Sequence, residues 1–142
     1  MLPCRPSAVA NCIVVTAKPI RVQLPGDDMY APALREAAAK IAARSSLSKR
    51  RAKAFEDLVG AGVDLLISGN ASMLTLEMTI HEDELSAKLT GKGCKSPTKK
   101  LVTALEKLAS AKSREFERKA TKTACTITFD VCVNRLATNR CG

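Results

Sequence analysis

The chain has 142 residues, 46% hydrophobic and 26% charged, an ordinary globular balance that supports one domain. Trp is absent and aromatics are only 3%, so the core must be aliphatic, and no apolar run approaches the roughly 18 residues a membrane-spanning helix needs. A net charge of +9 favours an acidic partner without choosing among nucleic acid, an acidic protein and a phosphate-bearing ligand.

The opening MLPCRPSAVANCIVV has no clear charged n-region and no full apolar h-region, so it does not read as a signal peptide, and a cytoplasmic protein is expected. Residues 1–17 are read as an N-terminal extension. IRVQL (20–24) alternates and is rich in strand formers, and PGDD ends it with turn chemistry. In APALREAAAKIAARSS, Leu34, Ala38 and Ile41 recur at helical spacing, with Asp27 or Asp28 near the start. Ser48 caps a second helix, in which Phe55, Leu58, Val59, Gly62, Leu65 and Leu66 form an apolar stripe. Lys53, Asp57, Ala61, Asp64 and Ser68 lie on another face, and Gly69 and Asn70 end the helix.

The period then changes to two. MLTLEMTI (73–80) and LSAKLTG (85–91), joined by HEDE, predict a hairpin in which His81 is an exposed turn residue. After GKGCKSP, a third helix places Leu101, Leu105 and Leu108 on one side. SREFERKATKTACTITFDVCV predicts a second hairpin, and 134–142 read as a tail. Strand, two helices, hairpin, helix, hairpin is the order of an α+β two-layer sandwich, a mixed or antiparallel sheet with its helices on one face.

Gly60 and Gly62 each weaken a helix by about 1 kcal/mol relative to Ala, which points to close packing against a neighbouring element. The six cysteines are irregularly spaced, without CxxC, so buried free thiols are expected, and one histidine gives no zinc site. Positive charge gathers in SKRRAK (48–53) and along 92–122, where it interleaves with leucines but not with base-stacking aromatics.

Residues 18–133 resemble the anti-sigma regulatory factors and serine kinases of the GHKL ATPase superfamily. The likeness is carried by IRVQLPGDDMYAPALREAAAKIAARSSLSKRRAKAFEDLVGAGVDLLISG and then MLTLEMTIHEDELSAKLTGKG. It implies a Bergerat, histidine-kinase-like ATPase fold over 18–133. It also places Asp64 where the family's N-box acid orients water, and Ser68 where its magnesium-coordinating asparagine stands. Residues four apart share a helix face, so the spacing survives, while a serine hydroxyl is a less typical Mg²⁺ ligand. Gly91 stands where the family has its adenine-reading aspartate, and Gly91 and Gly93 are all that remains of its phosphate-wrapping loop.

With the adenine-reading acid, the lid and the asparagine replaced, the resemblance implies a degenerate nucleotide site formed by Asp64, Ser68, Gly91 and Gly93, with no cofactor required. The partner is then a sigma factor or an antagonist-like protein, sequestered by association. Helix residues 31–44 and the adjoining SKRRAK segment are the expected binding surface, and a homodimer is compatible with this reading. The alternatives are an ATP-dependent serine-protein kinase, using ATP and magnesium with Asp64 as its catalytic acid, and a basic nucleic-acid-binding protein using 92–122.

Overall fold

In the computed structural model, residues 19–81 and 84–132 are described. The extension expected at 1–17, the tail expected at 134–142 and the outermost expected domain residues, 18 and 133, lie outside them.

Strand β1 (Ile20–Pro25) ends at its own proline, and a single 3-10 turn follows, with the Asp27 carboxylate accepting the Met29 N–H at 3.1 Å. Helix α1 (Ala31–Arg44) starts with Pro32 in its first turn, where a missing N–H costs nothing, and buries Leu34, Ala38 and Ala42. Its end is tied by the Ser45 hydroxyl, which donates to Ala42 O at 2.7 Å. Helix α2 (Lys49–Ser68) is N-capped by Ser48, whose Oγ accepts the Arg51 N–H at 3.2 Å. At its end the left-handed residue is Asn70, at φ 62°, while Gly69 keeps a negative φ.

The first hairpin pairs β2 (Met73–Ile80) with β3 (Glu84–Lys92), and the second pairs β4 (Glu115–Ala120) with β5 (Ala124–Cys132). Helix α3 (Lys99–Lys112) lies between them in the chain. All pairings are antiparallel, and the sheet order is β1-β2-β3-β5-β4. Thus β5 inserts beside β3, and β4 becomes an edge.

Alternation decides which face of the sheet is covered. Leu74, Leu76 and Met78 on β2, Leu85, Ala87 and Leu89 on β3, and Cys125, Ile127, Phe129 and Val131 on β5 are buried under the helices. Their neighbours in sequence, including Glu77, Lys88 and Thr128, point to the opposite face, as period-two side chains must. The stripe expected on α2 is the one that packs on the sheet: Phe55, Leu58, Val59, Leu65 and Leu66 are all buried. Phe55 meets Phe129 with ring centroids 5.6 Å apart and planes tilted by 57°. Truncating one of these buried leucines to Ala is expected to cost about 2–5 kcal/mol.

Both helix glycines are packed against neighbours. A Cβ at Gly62 would lie 2.6 Å from Leu89 Cδ1 on the sheet, and one at Gly60 would lie 2.6 Å from Arg35 Cζ on α1. The α+β sandwich with its helices on one face is therefore present, and its sheet is wholly antiparallel. Among the described residues, no helix is long and apolar enough to cross a membrane.

Candidate functional site

The α2 ridge turned away from the sheet carries Lys53, Asp57, Ala61, Asp64 and Ser68. Asp57 is the acid with partners there: Lys53 Nζ is 3.3 Å away one turn earlier, and Arg35 Nη2 of α1 is 3.9 Å away. Asp64 is exposed and has no ion pair among the described residues. It faces solvent on the ridge.

Ser68 has a different occupation. Its hydroxyl donates to Leu65 O at 2.6 Å and accepts the Thr98 N–H at 3.1 Å. Thr98 is the N-cap of α3 and makes no side-chain cap of its own. The Ser68 hydroxyl thus docks the start of α3 onto the end of α2. The contact is extended by the Lys95 N–H, which donates to Gly69 O at 2.7 Å.

Gly91 is buried in β3, on the sheet side of α2. A Cβ there would lie 2.9 Å from Leu66 Cδ2 and 3.1 Å from Ala71 Cβ, so the position has no room for a carboxylate. Leu66 follows Asp64 by two residues, about 200° round the helix, and the two therefore face opposite ways. Gly93 is left-handed, at φ 78°, and its N–H donates to Thr123 O at 2.6 Å. That donor is committed to the turn between β4 and β5. Asp64 and Ser68 share the α2 ridge as their spacing requires, whereas Gly91 packs against Leu66, on the sheet side of the helix, and Gly93 lies beside Ser72.

Charge at the helix starts is the other notable feature. The first turn of α2 carries Lys49, Arg50 and Arg51, that of α3 carries Lys99 and Lys100, and neither contains an acid. Cations at a helix N-terminus oppose the macrodipole by about 0.3–1 kcal/mol each. Arg51 has a structural use, since its Nη1 donates to Cys132 O at 2.8 Å and ties α2 to β5. Lys49 and Arg50 are exposed, as are Lys40 and Arg44 on α1 and Lys53 one turn further along α2. At the other end of α2, Lys92, Lys95, Lys99 and Lys100 are exposed around the start of α3.

Two constellations had no local sequence signal, because each is assembled from distant segments. Arg114 sits among carboxylates: its Nη2 is 3.2 Å from Glu84 Oε1 and 3.9 Å from Glu115 Oε1, and its Nε donates to Asp130 Oδ1 at 3.4 Å. Burial and the nearby Glu84 carboxylate push Asp130 up to about 6, with Arg114 pulling the other way. The hydrogen bond to Asp130 in turn holds the Arg114 guanidinium more firmly protonated.

The second constellation is the buried pair of free cysteines Cys94 and Cys125. Free thiols were expected for all six cysteines, and these two are free, but Cys132 is disulfide-bonded. Irregular spacing along the chain carries no information about distance in space, which is why the expectation failed there. Cys4, Cys12 and Cys141 lie outside the described residues. Among the described residues no cluster of three or more His, Cys, Asp or Glu is placed to hold a metal ion.

In comparison with known proteins, the chain matches no family model, and no curated protein matches it.

Proposed function

We propose that this protein is a regulatory binding module of the anti-sigma type, on a GHKL-like scaffold whose nucleotide site has been lost, and that it acts by sequestering a protein partner. The observation that carries this reading is the packing at Gly91. Where the resemblance calls for a carboxylate to read adenine, even a Cβ would crowd Leu66 and Ala71. The order of strand, helix pair, hairpin, helix and hairpin is compatible with that scaffold. A fold likeness does not carry function, so the reading rests on the site.

The partner surface is the exposed basic end formed by Lys40, Arg44, Lys49, Arg50 and Lys53. Two of these cations oppose the α2 dipole and have no acid in the first turn to offset them, a cost that recognition of an acidic partner segment, such as the face of a sigma-factor or antagonist helix, would repay. A homodimer is the other assembly this surface is compared against, by sedimentation at several concentrations.

Isothermal titration with Mg-ATP and a pull-down of sigma factors and their antagonists test the reading together. The expected result is no magnesium-dependent heat, and capture that is lost when Lys49 and Arg50 are changed to Glu. Magnesium-dependent ATP binding abolished by Asp64→Ala would instead establish the serine-kinase reading. The exposed lysines at 92, 95, 99 and 100 favour one further reading, nucleic-acid binding, which predicts retention on DNA or RNA that falls steeply with salt.

A further inference from the structure

Cys94 and Cys125 are brought together by the sheet and by one turn. Gly91 of β3 pairs with Cys125 of β5. The chain then folds back, with the Cys94 N–H reaching Gly91 O at 3.4 Å, so that Cys94 lies over that strand pair. The Cys125 thiol donates to Cys94 O at 3.6 Å. Both residues are almost fully buried, at 1% and 3% exposure.

The pair is closed from above by Gly69, where any Cβ would overlap Cys94 Sγ. The Arg118 guanidinium acts on Cys94 electrostatically, and its buried Nε has no hydrogen-bond partner among the described residues. That cation favours the Cys94 thiolate. Burial outweighs it, and together with the neighbouring Cys125 thiol pushes Cys94 up to about 12. While the loop at 93–97 is closed, the pair is unreactive.

We propose that Cys94 and Cys125 are a reversible redox staple, closed to a disulfide by a low-molecular-weight disulfide such as oxidised glutathione when the loop at 93–97 opens. The Cys94 thiolate attacks one glutathione sulfur, the glutathione S–S bond breaks, and one glutathione thiolate leaves. Cys125, as thiolate, then attacks Cys94 Sγ and expels the second. The Cys94–Cys125 bond has formed, both glutathiones are reduced, and they carry away the two thiol protons. The staple anchors to β5 the loop whose Lys95 and Thr98 N–H groups hold α3 on α2. Oxidation thereby locks the α2–α3 junction.

The test uses the full wild-type chain, incubated with oxidised glutathione in mild denaturant, returned to native buffer, alkylated and digested. The expected result is a cross-linked peptide pair carrying Cys94 and Cys125, lighter by two hydrogens than the separate peptides and released by dithiothreitol. Recovery of both cysteines separately alkylated, or of either one linked to a different cysteine, overturns the proposal. Hydrogen exchange gives an independent reading. The Lys95 and Thr98 amides are expected to exchange at least several-fold more slowly in the oxidised protein, and equal rates would refute the locking of α3.

Discussion

The guanidinium of Arg35 on α1 lies across the backbone of Gly60 on α2, so close that a Cβ at Gly60 would fall 2.6 Å from Arg35 Cζ and 2.7 Å from its Nη1. From there Arg35 reaches Asp57, its Nη2 3.9 Å from the carboxylate. The missing side chain at Gly60 makes the path between two helices. Gly62 serves the other side of α2, where Leu89 of the sheet presses against it.

These two glycines respond differently to alanine. Arg35 is a flexible side chain at 41% exposure and can move aside, so Gly60→Ala should keep most of the helix-propensity gain and be neutral to stabilising by up to about 1 kcal/mol. Leu89 is fully buried and cannot move freely. Gly62→Ala should therefore destabilise by about 1–2 kcal/mol despite the same propensity gain. Urea unfolding of both variants measures the contrast, and equal effects would count against this packing account.

Restoring the family's acid should fail. Gly91→Asp places a carboxylate against Leu66 and Ala71, and is expected to cost more than about 3 kcal/mol without creating Mg-ATP binding. Asp64→Ala, on the exposed ridge, should stay within about 0.5 kcal/mol of the parent. Thermal unfolding with and without Mg-ATP reads both.

Ser68 acts as a docking residue between helices. Ser68→Ala removes the acceptor for the Thr98 N–H and should cost about 1 kcal/mol. Faster exchange of the Thr98 amide, with the α2 amides unchanged, would locate the loss at the α3 junction.

Asp130 makes stability depend on pH in the opposite sense to an ordinary ion-paired carboxylate. Its folded value, about 6, lies above the ordinary 3.8, so between these the folded state keeps a proton that the unfolded chain has released. The stabilisation is complete below about 3.8 and is lost as pH rises through about 6, by on the order of 2 kcal/mol. Arg114 pairs with this carboxylate and also with Glu84 and Glu115. Asp130→Asn should flatten this part of the denaturation profile, and an unchanged slope from pH 4 to 6 would show that Asp130 is not its source.

Reversing the basic first turn of α2 should separate stability from recognition. Lys49→Glu and Arg50→Glu replace unfavourable cations with favourable anions, a gain of up to about 1 kcal/mol per position. Under the proposed function the same change abolishes capture of an acidic partner. A double variant that is more stable and still binds would move the partner surface elsewhere.

Much of the architecture was legible because it repeats locally. The 3.6-residue stripe from Phe55 to Leu66, the alternation through Leu74, Leu76 and Met78, and the Ser48 cap each encode their element within a few residues. The site was less legible. Asp64 and Ser68 do share a face, as helical spacing demands, but spacing does not say whether that face meets a pocket or solvent. Nor does it reveal that the Ser68 hydroxyl is bonded to Thr98, 30 residues away.

By itself, then, the sequence determined the elements, their order and the buried stripe of α2, since these follow from periodicity and capping between near neighbours. Only the tertiary structure decided that β5 lies between β3 and β4, that Gly91 is sealed by Leu66 and Ala71, and that Cys94 meets Cys125 and Arg114 meets Asp130. Those relationships depend on register and on packing between segments far apart in the chain. No local pattern specifies them, because their energy exists only once the whole sheet has formed.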